Sequence, residues 1–283
     1  MNRRTYFKNQ PLSNEEVNAM VPSAYATEPW IGTSSRYTFV PTSSVIDGMR
    51  EAGFLPYNAQ QARTRIPGKQ FFTKHLIRFR PVNQTLTQVG NTSIEAILVN
   101  SHDGTSCYEL FLGAFVLACL NGLVVAQSLI ESVKIRHTGN IISDVVSGTQ
   151  NLIARAPVVT ETINRWKTID LVPAEANFLA EAAHALRFEQ GAVAPDASKL
   201  LQPRRYADNG TSLWDTFNRI QENVITGGLR VNVPSRIDEE TGRFIPGRRN
   251  RTRAVVGIAE NNNLNRALWQ LAEDMAQAKG VAA

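Results

Sequence analysis

Apolar positions recur along the chain in two rhythms, a period of two in the first half and of about 3.6 in the second. In FFTKHLIRFRPV the odd positions Phe71, Ile77 and Phe79 are apolar apart from Thr73 and His75, while the even ones include Lys74, Arg78 and Arg80. That alternation predicts a strand with three cations on one face. SIEAILVNS and SCYELFLGAFVLACL are apolar at both alternating sets of positions, as central strands covered on both sides are. His102-Asp103-Gly104 separates them and Asn121-Gly122 follows. Asp-Gly and Asn-Gly favour tight hairpin turns, whose central residues take positive φ. The pattern predicts a β-meander.

The helical rhythm frames this meander. Ser13 and Glu16 form a capping box for a short helix before Pro22, and PTSSVIDGMREAGF predicts a helix closed by Gly53 with Val45, Ile46 and Met49 inward. From about residue 139 the period is helical. One helix is interrupted near Pro157 and restarts with proline in its first turn. An Ala-rich helix in DLVPAEANFLAEAAHALRF carries the stripe Phe178, Ala182 and Leu186. TSLWDTFNRIQENVITGG opens with a Ser212/Asp215 capping box and turns Leu213, Phe217, Ile220 and Val224 inward. The last helix places Leu264, Leu268, Leu271 and Met275 at helical spacing.

The expected fold is therefore α+β: a central antiparallel β-meander preceded by a helix and followed by a helical C-terminal half. The expected divisions are an N-terminal arm with a short helix (1–36), a helix plus β-meander core (37–136), a helical region packed on it (137–229), a basic loop (230–255) and a C-terminal helix (256–283). A chain of 283 residues with 43% hydrophobic and 19% charged residues has the composition of a folded protein. No apolar run is long enough to span a bilayer and the N-terminus lacks a signal-peptide core, so no membrane partner is expected and the cytoplasm is the expected location. Cys107 and Cys119 read as reduced core residues.

Charge changes the picture more than composition does. The net charge of +5 favours an anionic partner. One basic set comprises Arg63, Arg65, Lys69, Lys74, Arg78 and Arg80, with no acidic residue between Glu51 and Glu95. The other comprises Arg243, Arg248, Arg249, Arg251 and Arg253 on the loop GRFIPGRRNRTR. Arginine grips phosphate bidentately, and a run of it on a loop follows a phosphate backbone.

Catalytic chemistry has weaker support. His102 and Asp103 are adjacent on a strand end, where side chains point to opposite faces, and no nucleophile accompanies them. His75, His102 and His137, with Asp103 or Glu109, are the raw material for a metal site, but none stands in a metal-ligand spacing. No phosphate-binding glycine motif occurs. No cofactor and no metal is expected. Asn218, Gln221 and Glu222 read as a solvated helix face, or as side chains that hold the basic loop by its backbone.

The segments PSAYAT, SSRYTFVPTSSVIDGMREAGFLP, FFTKHLIRFR, VNSHDG, LACLNGLVV, LWDTFNRIQEN and LNRALWQLAE together resemble the phage- and plasmid-related family known as domain of unknown function 932. The resemblance spans nearly the whole chain and implies a role in the biology of mobile elements, in a bacterial host. In element order alone, the chain is also similar to phage single-strand annealing proteins.

These features lead to the expectation of a non-enzymatic, homo-oligomeric protein that binds single-stranded DNA, in annealing or protection during replication or recombination. Lys74, Arg78 and Arg80 would line its groove, the arginine loop would border it, and Tyr57, Phe72 and Tyr108 would stack on bases. The alternatives are a module that binds a host protein to counteract a defence system, and a metal-dependent enzyme.

Overall fold

The computed structural model describes residues 10–33, 37–83, 88–89, 92–116, 123–124, 131–137, 140–189, 191, 193–237 and 240–280. The chain forms two compact units, Met1–Glu161 and Thr162–Ala283, and the division falls inside a helix.

The first unit runs α1 (Asn14–Met20), α2 (Thr42–Glu51), β1 (Phe54–Gln61), β2 (His75–Pro81), β3 (Gln88–Val89), β4 (Thr92–Asn100), β5 (Tyr108–Val116), β6 (Leu123–Val124), β7 (Val133–Ile135) and α3 (Ile141–Ala154). It ends within α4 (Ala156–Thr168). The strands make one antiparallel sheet in the order β1-β2-β4-β5-β6, with β3 added to β4 and β7 to β5. Register aligns Ile77 with Leu98 and Leu98 with Leu110, so a row of fully buried side chains crosses three strands. Each such aliphatic side chain contributes about 1.5–3 kcal/mol of burial. Val45, Ile46 and Met49 of α2 are fully buried, as their spacing requires.

The capping box of α1 is present, with Glu16 N donating to Ser13 Oγ at 3.2 Å and Ser13 N to Glu16 Oε2 at 2.9 Å. Backbone bonds tie the arm to the core, among them Trp30 N to His102 O at 2.9 Å and Thr38 N to His137 O at 3.0 Å. The β4–β5 connection differs from the two-residue turn that Asp-Gly suggests. It occupies residues 101–107, and only Gly104 takes positive φ, at 77°. Asp103 instead accepts from the backbone N of Thr105 at 3.1 Å, an Asx turn that closes the loop without left-handed backbone at the aspartate. Cys107 is half-buried and free; Cys119 and the Asn121-Gly122 turn lie outside the described residues.

The second unit contains α5 (Pro173–Arg187), α6 (Leu213–Thr226), β8 (Arg230–Val233), β9 (Arg236–Ile237), β10 (Phe244–Ile245), β11 (Arg248–Arg251) and α7 (Ile258–Ala278). Its centre is aromatic: Trp166 lies 4.5 Å from Trp269 and 5.5 Å from Phe217, centroid to centroid. Ser212 Oγ caps α6 by accepting from Asp215 N at 3.1 Å. α5 turns a different stripe inward from the one its periodicity suggests. Leu179, Ala180 and Ala183 are buried, while Phe178 and Leu186 are exposed. Alanine lets the helix approach closely, and the larger side chains are left outside.

The basic segment expected as a loop is paired. β8 pairs with β11 and β9 with β10, both antiparallel, and the bonds Gly228 N to Thr252 O at 2.8 Å and Thr252 N to Leu229 O at 2.9 Å extend the ladder to its root. The segment is a two-stranded ribbon of two short ladders, β8–β11 and β9–β10, which lie in the same register on either side of the unpaired residues 234–235 and 246–247. The continuous β8–β11 ladder, with Leu229 and Thr252 at its root, is about 15 Å long at about 3.3 Å per residue.

Candidate functional site

α2, β2, β4, β5 and the β4–β5 connection converge on one hydroxyl, that of Thr42, which two of the four histidines contact directly. His75 Nε2 and His102 Nε2 each lie 3.0 Å from Thr42 Oγ1, Asn100 Nδ2 lies at 3.1 Å and Tyr108 Oη at 3.4 Å. His137 Nε2 reaches Asn100 Oδ1 at 3.1 Å, and Tyr37 stacks on the His137 ring with centroids 4.3 Å apart.

A hydroxyl has one proton and two acceptor positions. Tyr108 donates to Val40 O at 3.0 Å, and the Asn100 amide nitrogen donates to Thr42 Oγ1, which leaves Thr42 one acceptor position and its own proton for the two histidines. One ring nitrogen therefore donates to Thr42 and the other accepts from it. His75 Nδ1 lies 2.9 Å from Ser23 Oγ and 3.2 Å from Thr73 O, and His102 Nδ1 lies 3.3 Å from Tyr37 Oη, which also donates to Ser101 O at 3.4 Å. Both rings are fully buried and neutral. Burial pulls His75 down to about 4, partly opposed by the Thr73 carbonyl and Asp103. Burial and the neighbouring His75 and His137 pull His102 down to about 3. Burial also lowers His137 and pushes Tyr37 up to about 12.

The nitrogens of His75 and His102 thus converge on a protein hydroxyl, and among the described residues no group of three His, Cys, Asp or Glu side chains has the arrangement to hold a metal ion. His102 and Asp103 face apart. Asp103 pairs with Lys69 Nζ at 3.2 Å; burial raises its pKa, and its bonds to Thr105, Ser101 and Lys69 outweigh this and lower it. The cluster is buried and ties α2, β2, β4 and β5 of unit 1 together.

The two basic sets fare differently. Arg63 and Arg65 are exposed in the β1–β2 connection, and Lys74 is half-buried. Arg78 and Arg80 do share a face of β2, but that face is inside. Glu95, opposite Arg80 on β4, receives Arg78 Nε at 2.5 Å and Nη2 at 2.9 Å, and Arg80 Nε at 2.6 Å. The Arg78 guanidinium also lies 3.3 Å from the Phe115 ring centroid, and that of Arg80 4.2 Å from that of Tyr57. These two arginines serve the sheet, so the expected groove loses two of its three cations. The expected stacking aromatics are engaged as well: Tyr108 is fully buried, Phe72 packs on Trp30 at 5.2 Å and Tyr57 underlies Arg80.

Arg243, Arg248, Arg249, Arg251 and Arg253 are all exposed, on or beside the ribbon. Opposite residues of an antiparallel pair share a face. Val231 is buried and Val233 half-buried, which anchors one face at the root. The other face carries Arg230 directly opposite Arg251, and Asn232 opposite Arg249, all exposed. Among the described residues no carboxylate pairs with any of these three arginines. Like charges directly opposite each other are unfavourable, by roughly 0.2–1 kcal/mol. Arg230 and Asn232 lie outside the sequence-predicted sets, although the alternation Arg230-Val231-Asn232-Val233 is itself a strand signal, weakened by the Pro234 that follows.

The body holds the ribbon at its root. Asn218 and Gln221 are buried in α6, where Asn218 Nδ2 donates to Trp214 O at 2.8 Å and Gln221 Nε2 to Asn265 Oδ1 at 2.9 Å, and Glu222 pairs with Arg205 at 3.2 Å. These partners are helical and loop residues of the body. The root bonds come instead from Arg204, whose Nη2 donates to Gly227 O, and from Lys199, whose Nζ donates to Arg230 O at 3.2 Å. Val255 N donates to Ile225 O at 2.8 Å on the return side.

Residues 32–269 match the family described as Domain of unknown function (DUF932). The chain is 39% identical over 266 residues to UPF0380 protein YafZ of Escherichia coli (strain K12), covering 94% of this chain and 92% of that protein. It is 38% identical over 268 residues to UPF0380 protein YfjQ of the same strain, covering 95% and 93%. No solved structure matches. Among the described residues no helix is long and apolar enough to cross a membrane.

Proposed function

The chain belongs to the DUF932 family, whose description assigns no activity, and from the geometry we propose a nucleic-acid-binding protein of a phage or plasmid that acts without catalysis in the host cytoplasm. The observation that carries this is the exposed face of the ribbon, where Arg230, Arg249 and Arg251 stand together with Arg230 opposite Arg251. A fold tolerates such a pair on its own at a cost. An anion laid across it turns the repulsion into two attractions, and phosphate is the anion that guanidinium forks fit. Arg63 and Arg65 supply further exposed cations in the first unit.

Annealing or protection of single strands by an oligomer is one form of this role. The exposed Phe178 and Leu186 on α5 are the apolar surface on which copies would meet. A second reading, a module that binds a host protein to counter a defence system, is favoured by the pair Ile237 and Phe244 near the ribbon's far end, 67% and 68% exposed.

The test replaces Arg230, Arg249 and Arg251 by Gln and measures fluorescence anisotropy of labelled oligonucleotides at low salt. At least a tenfold loss of affinity, with unchanged thermal melting, is expected. Unchanged affinity in the folded variant overturns the assignment of the ribbon, and capture of one host protein with no oligonucleotide binding supports the second reading.

A further inference from the structure

Resting on the nucleic-acid reading, we infer that the ribbon's partner is duplex DNA, entered by the major groove, with base edges read by Asn232 and Arg249. The major groove of B-form DNA, about 12 Å wide, admits a two-stranded ribbon. The ribbon here offers the groove a continuous ladder from Leu229 opposite Thr252 to Val233 opposite Arg248. Val231 anchors one face at the root, so the opposite face points outward with its side chains in ladder order.

The chemistry of that face goes beyond charge. A surface made only to hold phosphate needs cations alone, yet the pair beside Arg230 and Arg251 is Asn232 and Arg249. Arginine is bidentate toward the O6 and N7 of guanine, and asparagine toward the N6 and N7 of adenine, both in the major groove. Directly opposite on the ribbon, these two residues are placed to meet neighbouring base pairs. Arg230 and Arg251, one step nearer the root, then fall to the flanking phosphates, which fix register without carrying sequence information. The sequence between β9 and β10 opens with Asp238-Glu239-Glu240, a run of carboxylates that phosphates repel.

The same geometry excludes other nucleic acids. The major groove of double-stranded RNA is too deep and narrow for side chains to read, and a single strand has no groove floor to meet both arms at once. The expected order of affinity is duplex DNA first, with single-stranded DNA and double-stranded RNA at least tenfold weaker.

The test uses the full chain against 20-base-pair duplex DNA, the single strand of the same sequence and the matching RNA duplex. A selection from random duplexes accompanies it. The wild type is expected to enrich a motif containing guanine and adenine. Arg249→Lys keeps the charge and loses the fork, and Asn232→Ala keeps the charge of the face. Each is expected to remove one position of the selected motif while enrichment at the other position persists. Equal binding of single strand or RNA duplex, or no motif in the wild type, overturns groove reading and leaves the nucleic-acid reading standing. Binding to none of the three overturns both.

Discussion

Thr42 is the residue on which the first unit turns. Thr42→Val keeps the shape and removes the hydroxyl, leaving His75 Nε2, His102 Nε2 and the Asn100 amide buried without it. The expected cost is about 2–4 kcal/mol, since each unsatisfied buried polar group costs about 1–3 kcal/mol and part is recovered by relaxation; chemical denaturation measures it. The cluster also predicts a pH dependence. His75 and His102 titrate at about 4 and about 3 in the fold against an ordinary value of 6.5, so between these values the unfolded chain binds more protons. The stability they contribute is complete above pH 6.5 and is lost progressively as pH falls toward 4 and then 3. A melting temperature that holds steady from pH 7 to 4.5 contradicts this. Periodicity places His75 on a strand and His102 at a turn, but only the packing of the arm and α2 on the sheet reveals that they share a hydroxyl. Residue type alone offers them as raw material for a metal site, without a supporting spacing; the partner atom is a threonine hydroxyl that no metal motif includes.

At the scale of elements, what the sequence shows well is what depends on neighbours in the chain. The capping box at Ser13, the side-chain cap of Ser212 on Asp215 N, the meander and the restart of the helix at Pro157 all use local signals, and all are present. The reciprocal half of the expected Ser212/Asp215 box is not, as Asp215 instead accepts from the Ser212 hydroxyl. What it conceals depends on pairing. Period-two alternation puts Arg78 and Arg80 on one face of β2 correctly, yet their burial is decided by Glu95, which only the β2–β4 register brings opposite. The stripe on α5 fails for a related reason, because Leu179 with Ala180 and Ala183 packs closer than Phe178 with Leu186.

The ribbon needs a glycine at its root. Gly227 has φ 64° and ψ −145°, and a Cβ there would lie 2.6 Å from Arg253 O. Gly227→Ala is expected to destabilise the root by about 1–3 kcal/mol and to speed tryptic cleavage at Arg248, Arg249 and Arg251. Arg251→Thr works oppositely on stability. It relieves the Arg230 pairing and is expected to stabilise by up to about 1 kcal/mol while weakening nucleic-acid binding. Loss of both stability and binding would show that the pair has another role.

For the whole molecule, the net charge of +5 is less informative than where the free cations stand. Were Arg230 and Arg251 the sole phosphate contacts, log K would fall against log salt with a slope of about −2, at about 0.9 per contact. Participation of Arg63 and Arg65 would steepen it toward about −3.5 on the same scale. Titration of wild type and of an Arg63/Arg65 double Gln variant separates the two cases. The ribbon also has a consequence for the protein when it is alone. A two-stranded ribbon leaves backbone donors and acceptors open along its outer edges, an invitation for a second copy to add a strand. Arginines at exposed positions on both β8 and β11 make that approach repulsive, so the charge that suits an anion also keeps concentrated protein dispersed. Salt that screens the repulsion, or variants that neutralise it, would open a route to precipitation through strand addition.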